Sequence, residues 1–270
     1  MKSLNERIRE TIHAQNSLVC VGLDTDPGKI PAHLTRQSDP VFTFNKRIID
    51  ATAGLVAAYK PNLAFYEALG AEGWDILSRT VRYIPEGILK IGDAKRGDIG
   101  STAARYADAL FGLGFDAVTV SPYLGGDSVS PFLEDPRRGA FILCLTSNPG
   151  SRDLQYLESG GRPLYLHVAE KIRDWNGKDN CGLVAGATHP EELAGIREAA
   201  PAIPFLIPGV GAQGGDLEGA VRSGTDASGG MAVINSSRGI LYASRGEDFA
   251  DAAREETRKL RDAINAIRNR

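Results

Sequence analysis

Two aspartates flank a lysine in the string Asp93-Ala-Lys-Arg-Gly-Asp-Ile-Gly-Ser-Thr102. The string follows a β-type run at 88–92, so it lies where a strand is expected to give way to a helix. Side chains two residues apart in a strand share a face, which predicts that Asp93 and Lys95 point the same way, with Asp98 just beyond in a glycine-bounded turn. A lysine ammonium held between carboxylates stays protonated. Such a fixed cation suits a reaction that develops negative charge on carbon, whereas an isolated D-x-K in a loop would be read as a solvated charge cluster.

Strand and helix patterns alternate along the whole chain. The predicted strands cover 18–24, 58–65, 88–95, 117–121, 140–147, 182–187, 205–211 and 232–236. The predicted helices cover 44–57, 71–84, 101–113, 128–133, 164–175, 190–199, 216–223 and 247–267. Capping boxes at Ser3-Leu-Asn-Glu6 and Thr188-His-Pro-Glu191 mark two helix starts.

Eight short, apolar strands separated by helices are typical of a parallel sheet that helices cover. The count of eight favours an α/β fold of the closed (β/α)8 type, a TIM barrel, over an open doubly wound sheet. No repeat, low-complexity tract or linker indicates a second domain, so residues 1–270 are predicted to form one barrel domain.

Polar side chains fall at the carboxyl ends of six predicted strands. They are Asp24, Lys60, the pair Asp93 and Lys95, Ser147, Gln213 and Arg238. In a (β/α)8 barrel, the loops after the strands form the face that carries the active site. Each residue alone could be a turn former or a surface charge. Their convergence on one rim predicts a common site.

Glycines crowd the loop after the seventh predicted strand, at positions 209, 211, 214 and 215, and two more precede the last strand. Glycine lets backbone N–H groups approach an anion closely, and the loops after strands seven and eight are the usual phosphate cradle of this fold. Arg238 would add a bidentate clamp. The substrate is therefore predicted to carry a phosphate. The segment 148–163, rich in Gly, Pro and Ser, is predicted to be an irregular active-site loop.

The overall composition excludes several classes of protein. The net charge of -3 leaves no footprint for nucleic acid or an anionic membrane. Cys20, Cys144 and Cys181 each lie in an apolar run, which indicates reduced core residues rather than a disulfide framework or a zinc site. The N-terminus is polar and no apolar run is long enough to span a bilayer, so a soluble, cytoplasmic protein is expected.

The string at 93–102 closely resembles the signature of the orotidine 5'-phosphate decarboxylases, in the form found in a longer bacterial subgroup. The resemblance continues through VGLD at 21–24, YKPN at 59–62, LTSNPG at 145–150, PGVGAQGG at 208–215 and SSRG at 236–239. It therefore covers nearly the whole chain, in order. It implies a (β/α)8 homodimer that converts orotidine 5'-phosphate to UMP and CO2 in de novo pyrimidine biosynthesis, without a metal or an organic cofactor.

The resemblance also implies a catalytic array. Lys95 would protonate C6 of the pyrimidine, Asp93 would lie beside the departing carboxylate, and Asp98 would come from the partner subunit. Asp24 and Lys60 would hold ribose hydroxyls and fix the array. Loss of CO2 leaves an electron pair on C6 with no conjugated sink, so preorganised charge is the strongest means of stabilising it.

The remaining implied contacts are with the substrate. Thr102, again from the partner subunit, would bind the ribose, and Ser147 would contact the pyrimidine. Gln213 would bridge toward the phosphate and Arg238 would bind it. The segment 148–163 is longer than a minimal barrel needs, so the resemblance assigns no contacts within it.

Two other functions fit part of the pattern. A sugar-phosphate decarboxylase or aldolase of the same suprafamily uses Mg2+ with a related D-x-K-x-x-D, but it carries a Glu on the second strand, where Lys60 would repel the metal. A barrel that only binds phosphorylated metabolites would have no use for a lysine between carboxylates, whose burial costs desolvation energy. Turnover of orotidine 5'-phosphate after treatment with a chelator distinguishes the three.

Overall fold

The computed structural model describes residues 1–187, 190–209 and 216–269. Within them, eight parallel strands close into a barrel in which each strand pairs with its neighbours in the chain and the last pairs with the first. The strands are Val19–Leu23, Ala58–Pro61, Leu89–Arg96, Ala117–Val120, Gly139–Leu145, Cys181–Ala185, Phe205–Pro208 and Ala232–Ser236. Helices separate them, which confirms the predicted (β/α)8 barrel.

The described helices follow the predicted order. They are Leu4–Gln15, Pro40–Thr52, Leu63–Glu67, Gly70–Tyr83, Gly100–Gly112, Gly126–Val129, Ser151–Leu154, Leu164–Trp175, Pro190–Ala199, Leu217–Gly224, Arg238–Leu241 and Phe249–Arg268, with 3-10 turns at Ala53–Leu55 and Ser130–Leu133. The first capping box is present: Ser3 Oγ accepts a hydrogen bond from the Glu6 amide at 3.1 Å, and the Ser3 amide donates to Glu6 Oε2 at 2.7 Å. The second begins at residues 188 and 189, which lie outside the described residues.

Some predicted boundaries are wrong. The second strand ends at Pro61 instead of residue 65, because proline has no N–H to continue the strand hydrogen bonds and Asn62 begins a helix. The Asn62 side chain accepts a hydrogen bond from the Ala64 amide at 3.3 Å, as an N-cap does. The predicted helix 44–57 begins earlier, at Pro40, where proline occupies a first-turn position that needs no amide hydrogen.

The barrel strands lie deep in the core. Every residue of Val19–Leu23 and of Cys181–Ala185 is buried, as expected for parallel strands covered by helices. Cys20, Cys144 and Cys181 are free and buried, as predicted. Burial raises the pKa of the Cys20 and Cys181 thiols to about 12, so both stay protonated. Within the described ranges, none of the helices combines the length and the apolar character that crossing a bilayer requires.

The segment 148–163 is more regular than predicted. It contains the helical turn Ser151–Leu154 and a small antiparallel pair, Glu158–Ser159 with Arg162–Pro163. Gly160 and Gly161 form the two-residue turn of this hairpin. Their φ angles of 60° and 74° are positive, as a type I′ turn requires. Gln155 fastens the segment to the end of the fifth strand, because its Oε1 accepts the Thr146 amide hydrogen at 2.8 Å and its Nε2 donates to Thr146 Oγ1 at 2.9 Å.

Candidate active site

A cavity of about 430 Å³ lies at the carboxyl ends of the barrel strands. Six of the nine predicted site residues line it, and they are Asp24, Lys60, Asp93, Lys95, Ser147 and Arg238. Gln213 lies outside the described residues. Asp98 and Thr102 are not among the lining residues of this chain's cavity. The structure thus brings together residues that lie in or just after strands one, two, three, five and eight.

Lys60 is the buried centre of the charge array. Its ammonium lies 2.8 Å from Asp93 Oδ2 and 3.8 Å from Asp24 Oδ1, and only 4% of its side chain is exposed. Burial alone would lower the pKa of Lys60, but the two carboxylates outweigh burial and raise the pKa above its ordinary value. Lys60 is therefore a permanent cation that holds two anions in place.

Asp93 links the two lysines. Its Oδ2 accepts a hydrogen bond from Lys60, while its Oδ1 accepts from Lys95 Nζ at 2.5 Å and from Thr119 Oγ1 at 3.0 Å. Burial would raise the pKa of this carboxyl, but the two ammonium groups outweigh it and hold the pKa well below its usual range. Asp24, Lys60, Asp93 and Lys95 thus form a row of charges that alternate in sign.

Lys95 reaches Asp93 through an irregular backbone. The third strand pairs Gly92 with Val118 and Arg96 with Val120, so four residue steps on one strand match two on the other. This is a bulge, and Lys95 has a φ of 47° within it. The regular alternation that predicted a common face does not hold here. The predicted contact with Asp93 forms all the same, and half of the Lys95 side chain (51%) remains exposed.

Asp98 lies between the third strand and the helix that follows, and Thr102 lies in the first turn of that helix. Asp98 Oδ1 accepts a hydrogen bond from the Ile99 amide at 2.8 Å, and Thr102 is exposed on the helix Gly100–Gly112. Large apolar side chains near them in the chain are also exposed, with Ile99 at 57% and Tyr106 at 38%. One copy of the chain therefore does not bring Asp98 and Thr102 into its own cavity.

Arg238 and Ser147 occupy other parts of the same cavity. Arg238 begins a four-residue helix directly after the eighth strand, next to Ser237. The first strand passes close to this corner: a Cβ at Gly22 would lie 1.9 Å from Ser237 Oγ, so a larger residue there would force the Ser237 side chain to move. Ser147 follows the fifth strand beside Thr146, the residue that Gln155 fastens.

Several lining residues were missed by sequence reasoning. Thr119 and Asn235 lie within strands that are mainly apolar, and both are buried. A polar residue inside an otherwise apolar buried strand is the signal that could have found them, because such groups need partners. Asn235 Oδ1 and Asp24 Oδ1 are buried and accept no hydrogen bond from the described residues, so each can receive one from a ligand. Asn62, Thr146 and Asn148 also line the cavity.

A closed parallel barrel with a polar, charge-lined cavity at its strand ends defines a protein of the (β/α)8-barrel enzyme class. The chain belongs to the orotidine 5'-phosphate decarboxylase / HUMPS family, whose model matches residues 17–254. It is 53% identical over 270 residues to the orotidine 5'-phosphate decarboxylase of Dehalococcoides mccartyi, with 98% of each chain covered. The enzyme of that name from Roseiflexus castenholzii is 56% identical over 253 residues, 93% of each chain. The structure of Leishmania donovani OMP decarboxylase matches with a TM-score of 0.86 at 43% identity and 99% coverage of both chains.

Proposed function

We propose that this protein is an orotidine 5'-phosphate decarboxylase that releases CO2 from its substrate and leaves UMP, a step of de novo pyrimidine biosynthesis. The observation that carries the proposal is the row of alternating charges that ends at Lys95, whose ammonium lies 2.5 Å from Asp93 in the cavity. Similarity to decarboxylases of this name over nearly the full chain supports the choice of substrate.

The proposed chemistry needs only charge and one proton. The substrate carboxylate lies beside Asp93, and the bond between C6 and the carboxylate breaks to release CO2 and leave an electron pair on C6. The Lys95 ammonium stabilises this developing charge and then gives C6 its proton, which makes UMP and a neutral lysine that solvent reprotonates. Lys60 keeps Asp93 ionised and in place throughout.

Different residues of the cavity bind the ribose, the pyrimidine and the phosphate of the substrate. Asp24 and Lys60 bind ribose hydroxyls, and Asp24 Oδ1, which accepts no hydrogen bond from the described residues, is the available acceptor. Ser147 contacts the pyrimidine. Arg238 binds the phosphate together with Gln213, and the binding energy of this remote group holds the reacting carbon at Lys95.

We also propose that two copies of the chain complete each other's sites. Asp98 lies two residues before the helix Gly100–Gly112 and Thr102 lies in its first turn, so the two are close together along the chain. They are absent from the cavity of their own chain, and exposed Ile99 and Tyr106 offer apolar surface beside them. A two-fold dimer would bring Asp98 and Thr102 to the partner's cavity.

Turnover should not require a metal ion. The Lys60 ammonium lies between the two carboxylates that a metal would need, 2.8 Å and 3.8 Å from them, and repels a second cation. We expect the same kcat with orotidine 5'-phosphate before and after treatment with EDTA. Activity that disappears in EDTA and returns with Mg2+ would instead support the metal-dependent sugar-phosphate chemistry.

Arg238→Ala should raise KM roughly ten- to hundredfold, because hydrogen bonds to charged groups contribute about 1.5–3 kcal/mol. It also lowers kcat if phosphate binding helps to close the site over the ring. Steady-state kinetics with orotidine 5'-phosphate measure both effects. Arg254→Ala, at an exposed arginine of the C-terminal helix, is the matched control. Unchanged kinetics for Arg238→Ala would place the phosphate elsewhere.

A further inference from the structure

Thr119 lies at the point where the bulged third strand meets the fourth. It is 1% exposed, and in the register it stands between Val118 and Val120, opposite the extra residues of the bulge. Its side chain nevertheless lines the cavity. The position combines a buried polar group with direct access to the charge array.

The Thr119 hydroxyl makes two hydrogen bonds of fixed direction. Oγ1 accepts from the backbone N–H of Lys95 at 2.8 Å and lies 3.0 Å from Asp93 Oδ1. A backbone N–H can only donate and an ionised carboxylate can only accept. The hydroxyl hydrogen is therefore directed at Asp93, and one side chain joins the backbone of one catalytic residue to the carboxylate of the other.

The Lys95 backbone needs such a partner. A φ of 47° costs an L-residue roughly 1–2 kcal/mol relative to ordinary strand geometry. A residue in a bulge is also left out of the regular strand pairing, and a buried N–H without an acceptor is costly. Thr119 Oγ1 supplies the acceptor that the fourth strand's backbone does not.

We propose that Thr119 is a positioning residue of the active site, whose hydroxyl fixes the left-handed backbone of Lys95 and the Asp93 carboxylate together. The proposal rests on the function proposed above for this cavity. Thr119 acts through Lys95 and Asp93. Loss of its hydroxyl should therefore affect the chemical step, while the phosphate and ribose contacts made by Arg238 and Asp24 remain.

Thr119→Val keeps the shape and removes the hydroxyl. We expect kcat to fall about a hundredfold with KM changed by about threefold or less, because a misplaced catalytic group loses rate without losing uniform binding. Thr119→Ser restores the hydroxyl and should bring kcat back to within about threefold of wild type. Thr257→Val is the matched control: Thr257 is fully buried and its hydroxyl donates to the Ala253 carbonyl at 2.7 Å, in the C-terminal helix and outside the cavity lining.

Amide hydrogen exchange over residues 93–96 gives a readout that needs no turnover. It should be faster in Thr119→Val than in wild type and unchanged in Thr119→Ser and Thr257→Val, since only the first removes the acceptor of the Lys95 N–H. Thr119→Cys, with a weakly bonding thiol, replaces Thr119→Val if that variant does not fold, and the same loss is expected. A wild-type protein without turnover would overturn the proposed function, while the exchange data would still decide the role of the hydroxyl.

Three results would overturn the positioning role. The first is a Thr119→Val variant with wild-type kcat and exchange. The second is a rise in KM at constant kcat, which would make Thr119 a substrate-binding residue. The third is a Thr119→Ser variant as slow as Thr119→Val, which would trace the loss to packing of the methyl group.

Discussion

Lys95→Ala is expected to lower kcat at least about a thousandfold, a loss of about 4 kcal/mol or more in transition-state stabilisation. The substitution removes both the charge that stabilises the electron pair on C6 and the proton that C6 receives. The fold should survive, because half of the Lys95 side chain is exposed and Asp93 keeps its hydrogen bonds from Lys60 and Thr119. Steady-state kinetics with orotidine 5'-phosphate and thermal unfolding measure the two effects separately.

A second lysine serves as the control for this variant. Lys259 also pairs with a carboxylate, Glu256 at 2.8 Å, but on the exposed face of the C-terminal helix. Lys259→Ala should leave kcat and KM unchanged. The assignment of Lys95 is refuted if Lys95→Ala retains a tenth of the wild-type kcat while it remains folded.

Mixing Lys95→Ala with Asp98→Ala subunits should recover about a quarter of the wild-type activity per site, although each variant alone is nearly inactive. In a mixed dimer, one site lacks both Lys95 and the Asp98 of the partner. The other site has an intact Lys95 and an intact Asp98 from the partner. Random reassortment of equal amounts makes about half of the dimers mixed, each with one good site of two. Activity measured after subunit exchange tests this result.

The control mixture combines Lys95→Ala with Asp93→Ala. Asp93 and Lys95 contact each other within one chain, so every site of a mixed dimer still lacks one of them. No activity should return in this mixture. If the mixture with Asp98→Ala also stays inactive, although differently tagged subunits copurify, Asp98 acts in its own chain and the shared-site model is wrong.

The barrel could be predicted because local patterns of apolar and polar residues determine its strands and helices. Eight apolar runs separated by helical periods leave few topologies, and the helices at 164–175 and 190–199 agree with the structure in both bounds. The errors lie where one residue changes the local preference, as at Asn62, which caps a helix that the apolar run at 63–65 hid. The hairpin around Gly160 was likewise hidden inside a segment that composition alone marks as irregular.

The site was predictable in its charged residues and not in its backbone. Asp24, Lys60, Asp93 and Lys95 stand at strand ends, and parallel strands bring such positions together. Strand alternation predicted the contact between Asp93 and Lys95. The contact does form, but the bulged backbone brings the two side chains together and regular alternation does not. A bulge depends on register with a strand more than twenty residues away in the chain, so the role of Thr119 follows only from the folded chain.

The left-handed backbone at Lys95 is a local cost in the free energy of folding at a residue to which the proposed reaction assigns a catalytic role. Glycine would adopt this conformation without the steric cost that an L-side chain brings, and that cost is a noticeable part of the 5–15 kcal/mol by which most domains are stable. Glycine at position 95 would relieve this steric cost, but it would also remove the ion pair with Asp93 and the ammonium to which the proposed reaction assigns the proton transfer. Position 95 is thus a place where backbone strain and the proposed catalytic group come from the same residue.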